Sequence, residues 1–484
     1  MKKILSLIII GILLFCSIGV SAISMIRESP NKSSYMDKFD MVIITPQIFS
    51  DALKPLINHK NTVGVHTFIK TTEEIYSQYQ GRDNAEQIKY FIKDAIEQSN
   101  IDYVLLVGGK EIIPVRYLEI YESPFAKQSD IKNIMKFDLL SSLSVYSTRF
   151  ISDLYYADIY DKNMSFCSWD SNNNNIFGEM SHTTIIDDVD LYPDVSIGRL
   201  LCKNISDIEN VNNKIINYET PGKVKNWFNN LIAIGGDTHI SIFQEILLRI
   251  LFKKGRIALE GEYMCKKASE HLPDFNTHKI YASSFFGIRA NRLSCKNIND
   301  AINTGAGLLL IALHGSPTML ATHPPFSKIW VPTSFYKNSD VQKLQNGEKL
   351  PLLIMPACNC ANFDNESSPI TWEFVGHENG GSIASLGFSY YGLYLPSTLS
   401  IESLGGYLAI SIFEDYAKGI DVVGKLWSES IKKYLDDDEA LAIGNLDHSH
   451  PFLEISNKEP WFNNVAIEEW ILFGDPSLKI GGYT

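Results

Sequence analysis

From about Lys38 onward, short runs of β-branched and aliphatic residues alternate with stretches of helical period, which predicts an α/β protein. The runs MVIIT (41–45), VGVHTFI (63–69) and DYVLLVG (102–108) read as strands. Between the last two, Ile88, Phe91, Ile92, Ala95 and Ile96 share one helical face, so a strand–helix–strand crossover and a parallel pair are expected. Residues 121–193 are polar and rich in Tyr and Asn, and are expected to be long loops. Helical period returns after Ser206, which pairs with Glu209 as a capping box ahead of Val211, Ile215 and Ile216.

A second alternation begins at LIAIGG (231–236), continues through an amphipathic segment near 240–252, and includes KIYAS (279–283), GLLLIAL (307–313), LPLLIMP (350–356) and GSIASLGFS (381–389). Such near-continuous apolar runs fit strands covered on both faces. Two side-by-side α/β subdomains with mostly parallel sheets are therefore expected, over residues 38–222 and 223–484, meeting near the ETPGKVKNW stretch at 219–227.

Two of those central runs stop at groups capable of chemistry. GLLLIAL leads straight into His314, Gly315 and Ser316, and LPLLIMP leads into Ala357, Cys358 and Asn359. Ligands of open α/β sheets sit beyond the carboxyl ends of strands, so if the two strands are neighbours, an imidazole and a thiol face one cleft. A thiolate is a nucleophile, and a nearby imidazole supplies its base. Gly315 allows close backbone approach, so its N–H and that of Cys358 are candidate donors to an oxyanion. A histidine or cysteine at the end of a buried strand is more often simply packed; the pair, about as far apart as in caspases, is what favours chemistry.

Composition narrows the partners. The 484 residues include 25 Phe, 23 Tyr and 7 Trp, enough for a large core, and carry 43 basic against 56 acidic residues, a formal charge of −13 with no basic stripe. A nucleic-acid partner is excluded on that balance. Residues 1–22 carry two lysines, a long apolar run and a small-residue close at Val20-Ser21-Ala22, so a secretory signal and an extracellular protein are expected, with no other contact with a membrane. Cys167, Cys202, Cys265, Cys295, Cys358 and Cys360 follow it, and their spacing decides neither disulfides nor a metal knuckle. About fifteen residues separate the signal from the first strand, too few for a folded inhibitory segment.

The stretches IALHGSPT, LPLLIMPACNCANFD and GGSIASLGFS, with YVLLVGGKEIIPVR, SDLYYADIY, VDLYPDVSIGRL, INYE and LFGDPSLKI, resemble the gingipain family of caspase-like cysteine peptidases, from about Asp40 to Lys479. The resemblance implies a secreted cysteine endopeptidase acting on protein or peptide substrates, with His314 and Cys358 as the dyad and no cofactor in the chemistry. Cys358 matches the family's thiol through Ala357 and Phe363; Cys360, two residues on, departs from its pattern and is expected to pack inertly, to resolve an oxidised Cys358 or to make the site redox-sensitive. Asp190, with Asp194 as competitor, matches the acid that reads Arg or Lys before the scissile bond. Asp153 matches an acid near the dyad histidine and is expected to orient His314. Asp170, Asn172 and Asn174 alternate ahead of Glu179, a spacing that points oxygens inward as calcium loops do, and the resemblance favours a structural calcium there over a plain Asn-rich turn. A non-catalytic binding protein and a thiol acyltransferase on the same fold are the competing readings.

Overall fold

The computed structural model describes residues 38–121, 147–181, 184–222, 226–237, 258–286, 292–325, 327–445 and 461–483. The leader at 1–22 and the whole amphipathic stretch at 240–252 lie outside them. Among the described residues no helix is long and apolar enough to cross a membrane.

The predicted strands form as β1 (Met41–Thr45), β2 (Thr67–Thr71) and β3 (Tyr103–Val107) in the first part of the chain, β2 beginning four residues later than predicted because Val63 caps the helix Gln47–Thr62. The helix Asn84–Ser99 leads into β3, capped by Asp83 and burying Ile88, Phe91, Ile92 and Ala95 on the anticipated face. The stretch expected to be loops holds strands instead: β5 (Ser147–Ser152), β6 (Phe177–Ser181) and β7 (Thr184–Ile185) join β4 (Arg116–Tyr121), which ends where that stretch begins, in a separate sheet ordered β5-β4-β6-β7. Their polar residues alternate with Leu118, Ile120, Phe150 and Met180, the pattern of a sheet with one wet face. After β8 (Ser196–Leu200) the next helix spans Ile205–Glu219, and its cap is Asn204, whose side chain accepts from Asp207 N, rather than Ser206.

The second part supplies β9 (Asn230–Gly235), β10 (Asn276–Tyr281) and β11 (Leu308–Ala312), a small antiparallel sheet of β12 (His314–Ser316), β13 (Met319–Thr322) and β14 (Val331–Lys337), then β15 (Leu352–Met355), β16 (Ala384–Phe388) and β17 (Trp470–Phe473).

The expected pair of sheets is one. Ten strands run β10-β9-β11-β15-β16-β17-β8-β3-β1-β2, and residues 38–484 form a single compact unit. The seam is β17, from the far end of the chain, which pairs antiparallel with β16 and meets β8 through Phe473 and Arg199. All other neighbours in this sheet are parallel. One antiparallel step reverses direction, so the carboxyl ends of β11 and β15 share an edge with the amino end of β8. This brings residues just ahead of β8 to the edge where β11 and β15 end.

A buried ion cluster joins distant parts of the chain beside this sheet. Lys60 Nζ lies 2.8 Å from Glu219 and 2.7 Å from Asp475, all three essentially inaccessible, and Glu219 also accepts from Lys479 N (3.1 Å). INYE and GDPSLKI therefore meet on one lysine. Losing one member of such a buried cluster costs about 3–5 kcal/mol, because the others remain charged and unpaired.

Candidate active site

β11 and β15 are adjacent, with Leu308, Leu309 and Leu310 opposite Leu352, Leu353 and Ile354. Every residue of both strands is buried, which fixes their ends rigidly. His314 opens β12 directly beyond β11, and Gly315 lies against the Cys358 turn. A Cβ at Gly315 would stand 2.7 Å from the Cys358 carbonyl oxygen and 2.8 Å from the Ala357 Cβ, so only glycine fits. The two expected groups are brought to one edge, backbone against backbone.

Cys358 sits in a tight turn. Ala357 N donates to Met355 O (2.8 Å), Asn359 adopts left-handed φ of 54°, and Asn359 N donates to Tyr390 O (2.6 Å). A non-glycine residue in that conformation stores strain of about 1–3 kcal/mol and is held by its surroundings, as at many functional turns. The thiol is half-buried and lies 3.8 Å from Gly392 O. Burial pushes it up to about 11, while backbone amides including that of Gly315 pull the other way. At neutral pH the resting thiol is therefore protonated, and a base must take its proton.

Cys360 is fully buried, donates to Met355 O (3.2 Å) and packs against Gly387, where a Cβ would stand 2.7 Å from its sulfur. It is a core residue facing away from the edge. All six described cysteines are free.

Asp190 lies ahead of β8, at the edge the reversal brings round to the dyad, half-buried, with only a long bond from Tyr192 N (3.3 Å). Burial raises it above the ordinary carboxylate range. Asp194 instead accepts from Ile159 N (2.6 Å) and Tyr160 N (2.9 Å). Of the two acids, Asp190 keeps its carboxylate the less committed.

The structure gives Asp153 another partner. Both its oxygens accept from Arg199 at 2.7 Å, and that guanidinium also donates to Gly108 O and Ile113 O. The pair bolts the small sheet to β8, a different task from orienting His314.

The loop expected to hold calcium closes on itself. Asp170 pairs with Arg82 and accepts from Asn174 N and Asn175 N (3.0 Å each). The Asn172 and Asn174 oxygens accept from backbone amides, and their nitrogens, at 2.8 and 2.6 Å, are what meet Glu179. Among the described residues no three acids, histidines or cysteines are grouped to hold a metal. The donor set does not fit a calcium ion: a guanidinium supplies the positive charge, and the convergent amides present N–H. Arg82→Ala should therefore lower the melting temperature by several degrees, about 1–3 kcal/mol for an uncompensated buried carboxylate, whereas excess chelator should leave it unmoved. Thermal scans with and without chelator check both.

Residues that the sequence did not single out complete the edge. Tyr390, Tyr391 and Gly392 follow β16 and curve over the thiol, and the Cys358 thiolate would raise Tyr391 further. Trp330 and His323 stand beside the His314 ring, at 5.6 and 5.8 Å between centroids. Glu469, fully buried beneath Cys358, is held well above its ordinary value by desolvation. No spacing rule marks these positions; only the sheet order assembles them.

Fold and edge together define a caspase-like α/β protein with a thiol and an imidazole at the ends of neighbouring central strands. The chain matches peptidase family C25 over residues 34–481, and it belongs to that family. It is 22% identical over 330 residues to gingipain R2 of Porphyromonas gingivalis (strain ATCC BAA-308 / W83), which covers 67% of this chain but only 32% of that relative, so the chain spans about a third of its length. The fold is also that of two solved structures. One is the complex of the Porphyromonas gingivalis RgpB pro- and mature domains (TM-score 0.57, 17% identity, 91% of this chain and 79% of that one). The other is the Arg-specific cysteine proteinase gingipain R (TM-score 0.56, 18% identity, 92% and 79%).

Proposed function

We propose that the chain is a secreted cysteine endopeptidase in which Cys358 is the nucleophile and His314 its general base and acid, cleaving after Arg or Lys. The observation that carries the reading is the contact of Gly315 with the Ala357–Cys358 turn, which joins the ends of β11 and β15. In the acylation step His314 takes the thiol proton as sulfur bonds to the scissile carbonyl carbon. The amides of Gly315 and Cys358 face the developing oxyanion, each such donor contributing about 2.7–4 kcal/mol. The same imidazole then gives its proton to the leaving nitrogen, and water, deprotonated in turn, releases the acid and restores the thiol. No cofactor enters. Asp190 supports the basic preference, since a half-buried carboxylate with only one long hydrogen bond favours a guanidinium that can pair through two N–H groups. The leader at 1–22 supports export, which the mass of the mature protein in culture medium tests.

The raised thiol gives this mechanism a pH signature. With Cys358 pushed up to about 11, alkylation of the resting enzyme by iodoacetamide should accelerate about tenfold per pH unit from 7 to 10, because only the thiolate reacts. A rate flat across that range would mean a preformed thiolate–imidazolium pair instead.

A further inference from the structure

Along the sheet edge the order is fixed: the His314 turn beyond β11, Cys358 beyond β15, the Tyr390–Gly392 segment beyond β16, and Asp190 ahead of β8 on the far side of β17. Cys358 thus lies between the β12–β14 hairpin and Asp190. If Asp190 takes the side chain before the scissile bond, the peptide beyond that bond runs over the hairpin. Proton transfer makes the same assignment. A general acid must come within about 2.6–3.2 Å of the leaving nitrogen, so whatever borders His314 also borders the residue carrying that nitrogen.

An aromatic group borders His314. The Trp330 ring stands edge-on to it at 74° and tilts over His323 at 3.9 Å, with the Phe335 ring 6.2 Å from Trp330. His323 is buried, donates from Nδ1 to Ile329 O (3.3 Å), and is kept neutral by burial that depresses its pKa. Ile329, held by that bond, is 52% exposed, one of few large hydrophobics left open among the described residues. Exposed Ile329 and half-buried Trp330 thus put apolar surface on the His314 side of the edge.

We propose that Ile329 and Trp330 form the shelf for the residue immediately after the scissile bond, giving a preference for an aliphatic or aromatic side chain there. The proposal rests on the His314–Cys358 reading, and the occupant is the leaving-group side of the substrate peptide.

Partition of the acyl-enzyme tests it. A peptide methyl ester acylates Cys358 with loss of methanol; an added amino-acid amide then attacks the thioester carbonyl, its proton passing through His314 to the departing thiolate, and competes with water. The ratio of amide to acid product is internal to each enzyme, so changes in acylation rate cancel. Leucinamide and phenylalaninamide should outcompete glycinamide by about tenfold, the scale on which apolar pockets discriminate. Trp330→Ala should bring the three within roughly twofold, and the exposed Ile329→Ser, which places no strain on the fold, should lie between. An equal ratio in the wild type, or a preference surviving both substitutions, overturns the shelf while the ester is still consumed. An ester that the wild type consumes no faster than Cys358→Ala overturns the dyad and the shelf with it.

Discussion

Cys358→Ala is expected to abolish peptide hydrolysis, by about 10⁶-fold on the scale seen when a peptidase nucleophile is deleted, while melting like the wild type. Cys360→Ala is expected to do the reverse. Cys358 is half-buried in a turn held by bonds between backbone groups, and its sulfur makes only a long contact with Gly392 O, so truncation removes chemistry and little packing. Cys360 fills core between Met355 and Gly387, so its loss leaves a small cavity costing about 1 kcal/mol with activity retained. Activity that survives in Cys358→Ala and vanishes in Cys360→Ala would reverse the assignment of the nucleophile. Loss in neither would remove the enzyme reading altogether.

The second large effect falls on specificity. Asp190→Ala should reduce turnover of Arg substrates at least tenfold and spare a small neutral substrate, since removing one partner of a desolvated charge pair costs about 2–5 kcal/mol. The wild type should take Arg ahead of Lys, because only the guanidinium can offer two parallel donors. A pH signature accompanies this. Burial raises Asp190, so its charge, and with it the Arg preference, is present above the raised value and fades as pH falls through it, sooner than for an ordinary carboxylate. A substrate library showing preference for Asp, Asn or aliphatic residues at that position would discard Asp190 and leave His314 and Cys358 untouched.

The central strands and their chemical ends were legible because burial on both faces writes itself as an unbroken aliphatic run, and because His314 and Cys358 each stand immediately after one. The union of the two halves was not, since β17 joins β8 through Phe473 and Arg199, a pairing no local period encodes. The small sheet was hidden by its own wet face, where Tyr117, Glu119 and Arg149 alternate with core residues. Asp153 and the 170–179 loop show a different failure. Each carboxylate was placed correctly as a group needing a positive partner, but sequence spacing is the same whether that partner is an imidazole, a calcium ion or an arginine. The fold supplied Arg199 to one and Arg82 to the other.

The dyad is most directly tested by mapping iodoacetamide on the intact wild-type protein, with residual peptidase activity read on the same samples. The account predicts a carbamidomethyl group on Cys358, with activity falling in step with its occupancy, no label on buried Cys360, and no loss of activity from any label on half-buried Cys295. Label at Cys358 with activity retained, or inactivation that tracks modification of any other residue, would contradict it.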